Sequence, residues 1–163
     1  MQVPFVGLRV VVPPDWIDVN GHMNATHYGL VVYDAHAGFS EEIGLGEKYV
    51  KSAGSGKAVL ESHMIYEREV SEGDKLEVRS WLLAVDAKRL HFFHEVFNLS
   101  KGFRAAASEQ VDIHIDLKLR KSSAIPKELL QSLKQRVREN LKHPRPSKIG
   151  RAVRPPENSW LTD

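Results

Sequence analysis

Cysteine is absent from the 163 residues, which excludes disulfides, thiolate metal sites and a cysteine nucleophile. Long apolar runs are lacking as well. No stretch spans a bilayer, and Pro4 and Arg9 interrupt the apolar N-terminal residues, so no secretory signal is read and a cytoplasmic setting is expected. Nor does one sign of charge dominate. Lys and Arg number 23 against 21 Asp and Glu, a formal +2 that gives no ground for nucleic acid as a partner. Much of that excess is local, in Lys142, Arg145, Lys148, Arg151 and Arg154. What is present is 42% hydrophobic residues, enough for one domain with its own core.

The most concentrated chemistry lies in residues 15–28, where Asp15, Asp18, Asn20, Gly21, His22, Asn24 and His27 run into Tyr28 and a helical pattern. Tyr28, Val31, Val32, Ala35, Phe39 and Ile43 recur at three- and four-residue intervals, which predicts a helix over about 24–43, stopped by Gly44 and Gly46. With Asn20 or Asn24 as N-cap, the first-turn amides of about 23–26 lack helical partners and face the loop, with the helix dipole behind them. A carboxylate opposite free N–H groups is the minimum equipment for attack on a carbonyl. Asp-x-Asn-Gly is also ordinary turn chemistry, and Asp15 reads as a turn residue.

The remaining chain reads as a first strand over 5–12 closed by Pro13-Pro14, and then, after the helix and a short link, four strands over 58–70, 75–85, 89–99 and 103–119. Short turns between those four make them antiparallel neighbours. In the last, Ala105, Ala107, Val111, Ile113, Ile115 and Leu117 alternate with Ala106, Ser108, Gln110, Asp112, His114 and Asp116, predicting one buried face and one wet face. A further helix is expected over 126–141. Residues 1–142 form one domain, and 143–163 an extended arm or disordered tail, whose Trp160 and Leu161 are the residues that would anchor on a neighbouring subunit.

Competing motifs fail on spacing. An EF-hand register puts Trp16 at the first ligand and His27 at the bidentate position. A P-loop register puts Lys51 at its first glycine and Ala58 after Lys57, and there is no Gly-x-Ser-x-Gly. His91 and His94 are three apart in a strand, so they face opposite sides and do not converge on a metal.

Asp18-Val19-Asn20-Gly21-His22-Met23-Asn24 followed by Tyr28 resembles the Asp-x-x-Gly-His-x-Asn signature of hotdog-fold acyl-CoA thioesterases of the 4-hydroxybenzoyl-CoA thioesterase type, and the order of elements over about 5–120 agrees with it. The resemblance implies an α+β hotdog fold: an antiparallel five-stranded sheet wrapped around one long central helix, here with an additional C-terminal helix. It implies an acyl-CoA thioester hydrolase without cofactor, coenzyme A being part of the substrate. Asp18 would act as nucleophile or general base and the Asn24 and Ala25 amides as oxyanion donors. His22 and Asn24 would position substrate or water, and Tyr28 would line the pocket. A homodimer or tetramer is expected, with Lys88 and Arg89 as candidates for the coenzyme A phosphates. Glu61 and His63, two apart and therefore on one strand face, are candidates for the acyl pocket.

The run 86–95 with Glu61-Ser62-His63 is similar to betainyl-CoA thioesterases linked with carnitine dehydrogenases, for which Glu61, Trp81 or Phe92 would supply a cation site. Two other readings stand beside hydrolysis. Hotdog hydratases carry an Asp-x-Asn-Pro-x-His loop, whereas Asn20 here precedes Gly21-His22. Regulatory acyl-CoA binders have no need of Asp18.

Overall fold

The computed structural model describes residues 3–150 and 156–162. Arg151 and Arg154 lie outside them. Its elements are β1 (Phe5–Val11), α1 (Ala25–Glu42), α2 (Glu47–Ala53), β2 (Ser55–Tyr66), β3 (Lys75–Val85), β4 (Arg89–Asn98), β5 (Phe103–Asp116), β6 (Lys121–Ser122) and α3 (Lys127–Leu141), with single 3-10 turns at Pro14–Trp16 and Ser159–Thr162. The sheet order is β1-β3-β4-β5-β2, every pair antiparallel, with β6 on β5. Among the described residues no helix is long and apolar enough to cross a membrane.

That order corrects one expectation: β2 and β3 are not neighbours. The link between them does not fold back as a hairpin. Its Glu67 and Arg68 amides donate to the Ala105 carbonyl, and the Val70 carbonyl accepts the Met23 amide at 2.8 Å, so the chain crosses the start of α1 before β3 begins. β2 therefore forms an edge of the sheet beside β5.

The apolar stripe of α1 is buried as its spacing requires, with Tyr28, Val31, Val32, Ala35 and Phe39 packed on the sheet. Gly7 is what lets the helix lie so close to β1, because a Cβ there would stand 2.7 Å from the Ala35 carbonyl oxygen. The helical layer is not a single rod. Leu133 and Val137 of α3 join Phe39, Leu82, Leu90 and Phe92 in one buried cluster, so α1 and α3 share the sheet face.

The faces of β5 are reversed relative to the expectation. Ser108, Gln110 and Asp112 face α1, while Ala107 packs with Trp81, Leu83 and Phe93 on the other side. Both faces are covered, because the segment after α3 runs over the outer one: Ile149 joins that cluster, the Gly150 amide donates to Glu109 at 2.9 Å, and Lys148 pairs with Glu67 at 2.6 Å. Trp160 docks on its own chain, not on a neighbour. It is buried and donates its Nε1–H to the Val85 carbonyl at 2.7 Å, with Lys134 and Arg138 against its ring.

Candidate active site

The motif folds into a closed loop ahead of α1. The Asp18 amide donates to the His22 carbonyl at 2.9 Å and the Gly21 amide returns to the Asp18 carbonyl at 3.0 Å. Gly21 makes this possible by taking φ = 81°, the left-handed region that costs glycine little. Residues Ile17 and Met23 then bridge, and the Asn24 amide donates to the Trp16 carbonyl at 2.8 Å, which fixes the loop on the helix start. One carboxylate oxygen of Asp18, Oδ1, accepts the Asn20 amide at 2.8 Å. Among the described residues the other has no partner.

The same accounting sharpens the amide donors. The Met23 and Asn24 amides are already spent on carbonyls, which removes Asn24 from the expected oxyanion pair. The Asn24 side chain is the N-cap, its Oδ1 accepting the Thr26 amide at 2.9 Å. Ala25, the first helical residue, has a first-turn N–H with no acceptor among the described residues. Asp18, His22, Ala25 and Tyr28 line one open cavity of about 360 Å³ together with Tyr66 and Glu69. His22 is held there by Glu69 at 2.7 Å, and Tyr28 meets Tyr66 edge to face with centroids 5.4 Å apart. Burial pushes the Tyr28 phenol up, keeping it neutral.

Four other sequence candidates are placed elsewhere. A register shift between Val59 and Glu61 reverses the face of β2, so that Lys57, Val59, Ser62 and Met64 turn to the helix side and Glu61 and His63 do not line the cavity there. Strict alternation could not reveal it. Lys88 and Arg89 sit at the β3–β4 turn, where Arg89 pairs with Asp86 at 2.8 Å. Arg89 registers with Ile113, whereas Tyr66, beside Asp18, registers with Ala106, so about 23 Å of strand separates the two ends. Of the cation-site residues, Trp81 lies on the outer sheet face, and the Phe92 ring already has the Lys57 ammonium 5.4 Å from its centroid.

A second, larger cavity of about 680 Å³ follows along α1 and β2, and its floor escaped the sequence reading entirely. Asp112, with no exposed side-chain surface, accepts Lys57 at 2.7 Å and Gln110 at 2.7 Å, and lies 3.0 Å from His36 Nε2. His36 Nε2 also contacts Lys57, and its Nδ1 lies 3.2 Å from His94 Nε2, whose Nδ1 meets the Ser80 hydroxyl at 2.8 Å. Burial works to raise the Asp112 carboxyl, but the His36 hydrogen bond and the Lys57 charge outweigh it and hold the group below the usual carboxylate range. Burial pushes both histidines down, His94 furthest. His91 lies on the opposite face, 2.7 Å from Glu109, so the two strand histidines do not converge. Among the described residues no three His, Asp or Glu side chains are grouped to hold a metal. The available signal was a histidine on an apolar helix stripe and an acid in an apolar strand.

The thioesterase-like superfamily model matches residues 12–133. This chain belongs to that superfamily. As a thioesterase-like protein it is an enzyme of the thioester-hydrolase class. It is 33% identical over 140 residues to the betainyl-CoA thioesterase of Pseudomonas aeruginosa, covering 86% of this chain and 88% of that one. It is 34% identical over 139 residues to an L-carnitine dehydrogenase/betainyl-CoA thioesterase of Agrobacterium fabrum, covering 85% of this chain but 28% of that longer one. A Staphylococcus aureus protein solved in complex with CoA has the same fold, with a TM-score of 0.82 at 24% identity over 96% of this chain and 99% of that one.

Proposed function

We propose that this thioesterase-like chain hydrolyses an acyl-CoA thioester, with Asp18 as the attacking carboxylate or as the base that activates water, and the Ala25 amide as oxyanion donor. One observation carries the reading: a carboxylate oxygen and a helix N-terminal N–H, neither with a partner among the described residues, belong to residues that line the same cavity. As the thioester carbonyl is attacked, negative charge grows on its oxygen, where a fixed N–H backed by the α1 dipole stabilises the transition state more than the ground state. Thiolate leaves with little need of protonation, so no cofactor is called for. His22, clamped by Glu69, orients water or substrate, and Tyr28 with Tyr66 walls the carbonyl's side of the cavity.

Coenzyme A as the carrier is supported by the relatives' names and by the CoA complex of the Staphylococcus aureus neighbour. Self-association as a homodimer is supported by the exposed outer edge of β2, which ends the sheet beside exposed Leu30, Tyr33, Val59, Leu60 and Tyr66.

The test is thiol release from acetyl-, medium-chain, benzoyl- and betainyl-CoA by the wild type and by Asp18→Asn. Turnover falling about 10²- to 10⁴-fold in the variant, with an unchanged melting temperature, is the expected result. Turnover that survives the substitution overturns the assignment of Asp18, and tight acyl-CoA binding without release by wild type makes the chain a binder.

A further inference from the structure

We propose that the larger cavity is a distal acyl subsite selecting a chain whose far end carries an uncharged hydrogen-bonding group, a hydroxyl in the simplest case. The inference rests on the thioesterase reading, which places the thioester at Asp18 and Ala25.

Both cavities are built on the same two elements. Ala25 and Tyr28 line the first, and Gly29, Val32 and His36 the second; on β2, Tyr66 gives way to Met64, Ser62 and Lys57. From Ala25 to His36 along the helix is about 16 Å. A betainyl group ends near Tyr28 and Tyr66, well short of that floor.

The floor's charge decides what reaches it. Lys57 is balanced by Asp112 at 2.7 Å and His36 and His94 are neutral, so the network has no net charge to offer an ion. A carboxylate end would compete with Asp112 for Lys57. A trimethylammonium end would find Asp112 and the Phe92 face already taken by Lys57. Bringing either in strips its water without a free counter-charge.

Polar atoms are nevertheless left over. Gln110 donates one amide N–H to Asp112 and has its nitrogen 3.1 Å from His36 Nε2, while its Oε1 accepts nothing among the described residues and its side chain is almost wholly buried. The Ser62 and Ser108 hydroxyls, both in the wall, make no hydrogen bond within the described residues, and Lys57 keeps N–H groups beyond the one it gives Asp112. Donor and acceptor are both open here, which is the complement of a hydroxyl.

Binding and turnover separate this proposal from the one on which it rests. Calorimetry would measure the wild type against non-hydrolysable CoA thioethers bearing dodecyl, ω-hydroxydodecyl, ω-carboxydodecyl and ω-trimethylammonio-dodecyl chains, long enough to span the cavity, with thiol release from dodecanoyl-, ω-hydroxydodecanoyl- and betainyl-CoA read in parallel. The hydroxyl-ended thioether is expected to bind about tenfold more tightly than dodecyl, the gain of one or two hydrogen bonds. That preference is expected to shrink in Ser108→Ala and to vanish in Lys57→Met. Equal binding of hydroxyl and alkyl ends, or a preference for either charged end, overturns the subsite and leaves the hydrolase standing. Hydroxyl preference without thiol release from any ester overturns the hydrolase and leaves the subsite.

Discussion

The Asp18 loop and the Asp112 network each centre on one aspartate and use it in opposite ways. Asp18 lies in an open cavity, held by turn hydrogen bonds from its own loop, with one oxygen unspent among the described residues. Asp112 is fully buried, with Lys57, Gln110 and His36 gathered on its two oxygens. A carboxylate that must attack has to keep a lone pair free. A carboxylate that must hold three elements together has to give its lone pairs away. Perturbation of a carboxyl alone would have pointed to Asp112, and it is the free oxygen that points to Asp18.

The comparison breaks most visibly at Asp112. Asp112→Ala leaves the largely buried Lys57 without its counter-charge, and a loss of about 3–5 kcal/mol in urea unfolding is expected. A loss below about 1 kcal/mol would make the network a bystander to the fold.

The loop is sharpened by Ala25→Pro. Asn24 already has φ −59° and ψ 140°, the conformation that a following proline requires, and proline is well accepted at the first helical position. The substitution therefore deletes a single N–H. Turnover is expected to drop about 10²- to 10³-fold with the melting temperature unchanged. Full activity in that variant would show that another donor serves the oxyanion.

Lowering the pH separates the two regions next. Burial lowers the folded-state values of His36, His91 and His94, so the unfolded chain takes up protons that the fold refuses, and stability is lost as pH falls through about 6.5. Carboxyls held low add a second stage. Hydrogen bonds from Arg104 bring Glu67 to about 2, and its contribution, complete above about 4.5, is lost as pH falls toward that value. Melting temperatures from pH 8 to 2 should decline in those two stages, with the first made shallower by His94→Gln. A flat profile down to pH 5 would contradict the neutral histidines.

The smallest effect belongs to the cap. Asn24→Ala removes the acceptor for the Thr26 amide and should cost about 1 kcal/mol, with turnover changed only as far as the Ala25 amide moves. A larger kinetic than thermal effect would return Asn24 to the catalytic group.

The sequence by itself determined what local rules govern. The Asx and glycine turn around Asp18, the N-cap at Asn24 and the 3.6-residue stripe from Tyr28 to Phe39 depend on neighbours within a few positions, and they are where the pattern puts them. Tertiary structure decided what depends on contacts far along the chain. The register shift in β2 turned Glu61 and His63 away from the cavity, the crossing link set β2 beside β5, and the C-terminal segment on the outer sheet face let Ser108, Gln110 and Asp112 turn inward. Alternation along one strand says that two faces differ but not which is covered, and a charged residue is safe inside only when partners such as Lys57 and His36, 55 and 76 residues away from Asp112, arrive to meet it.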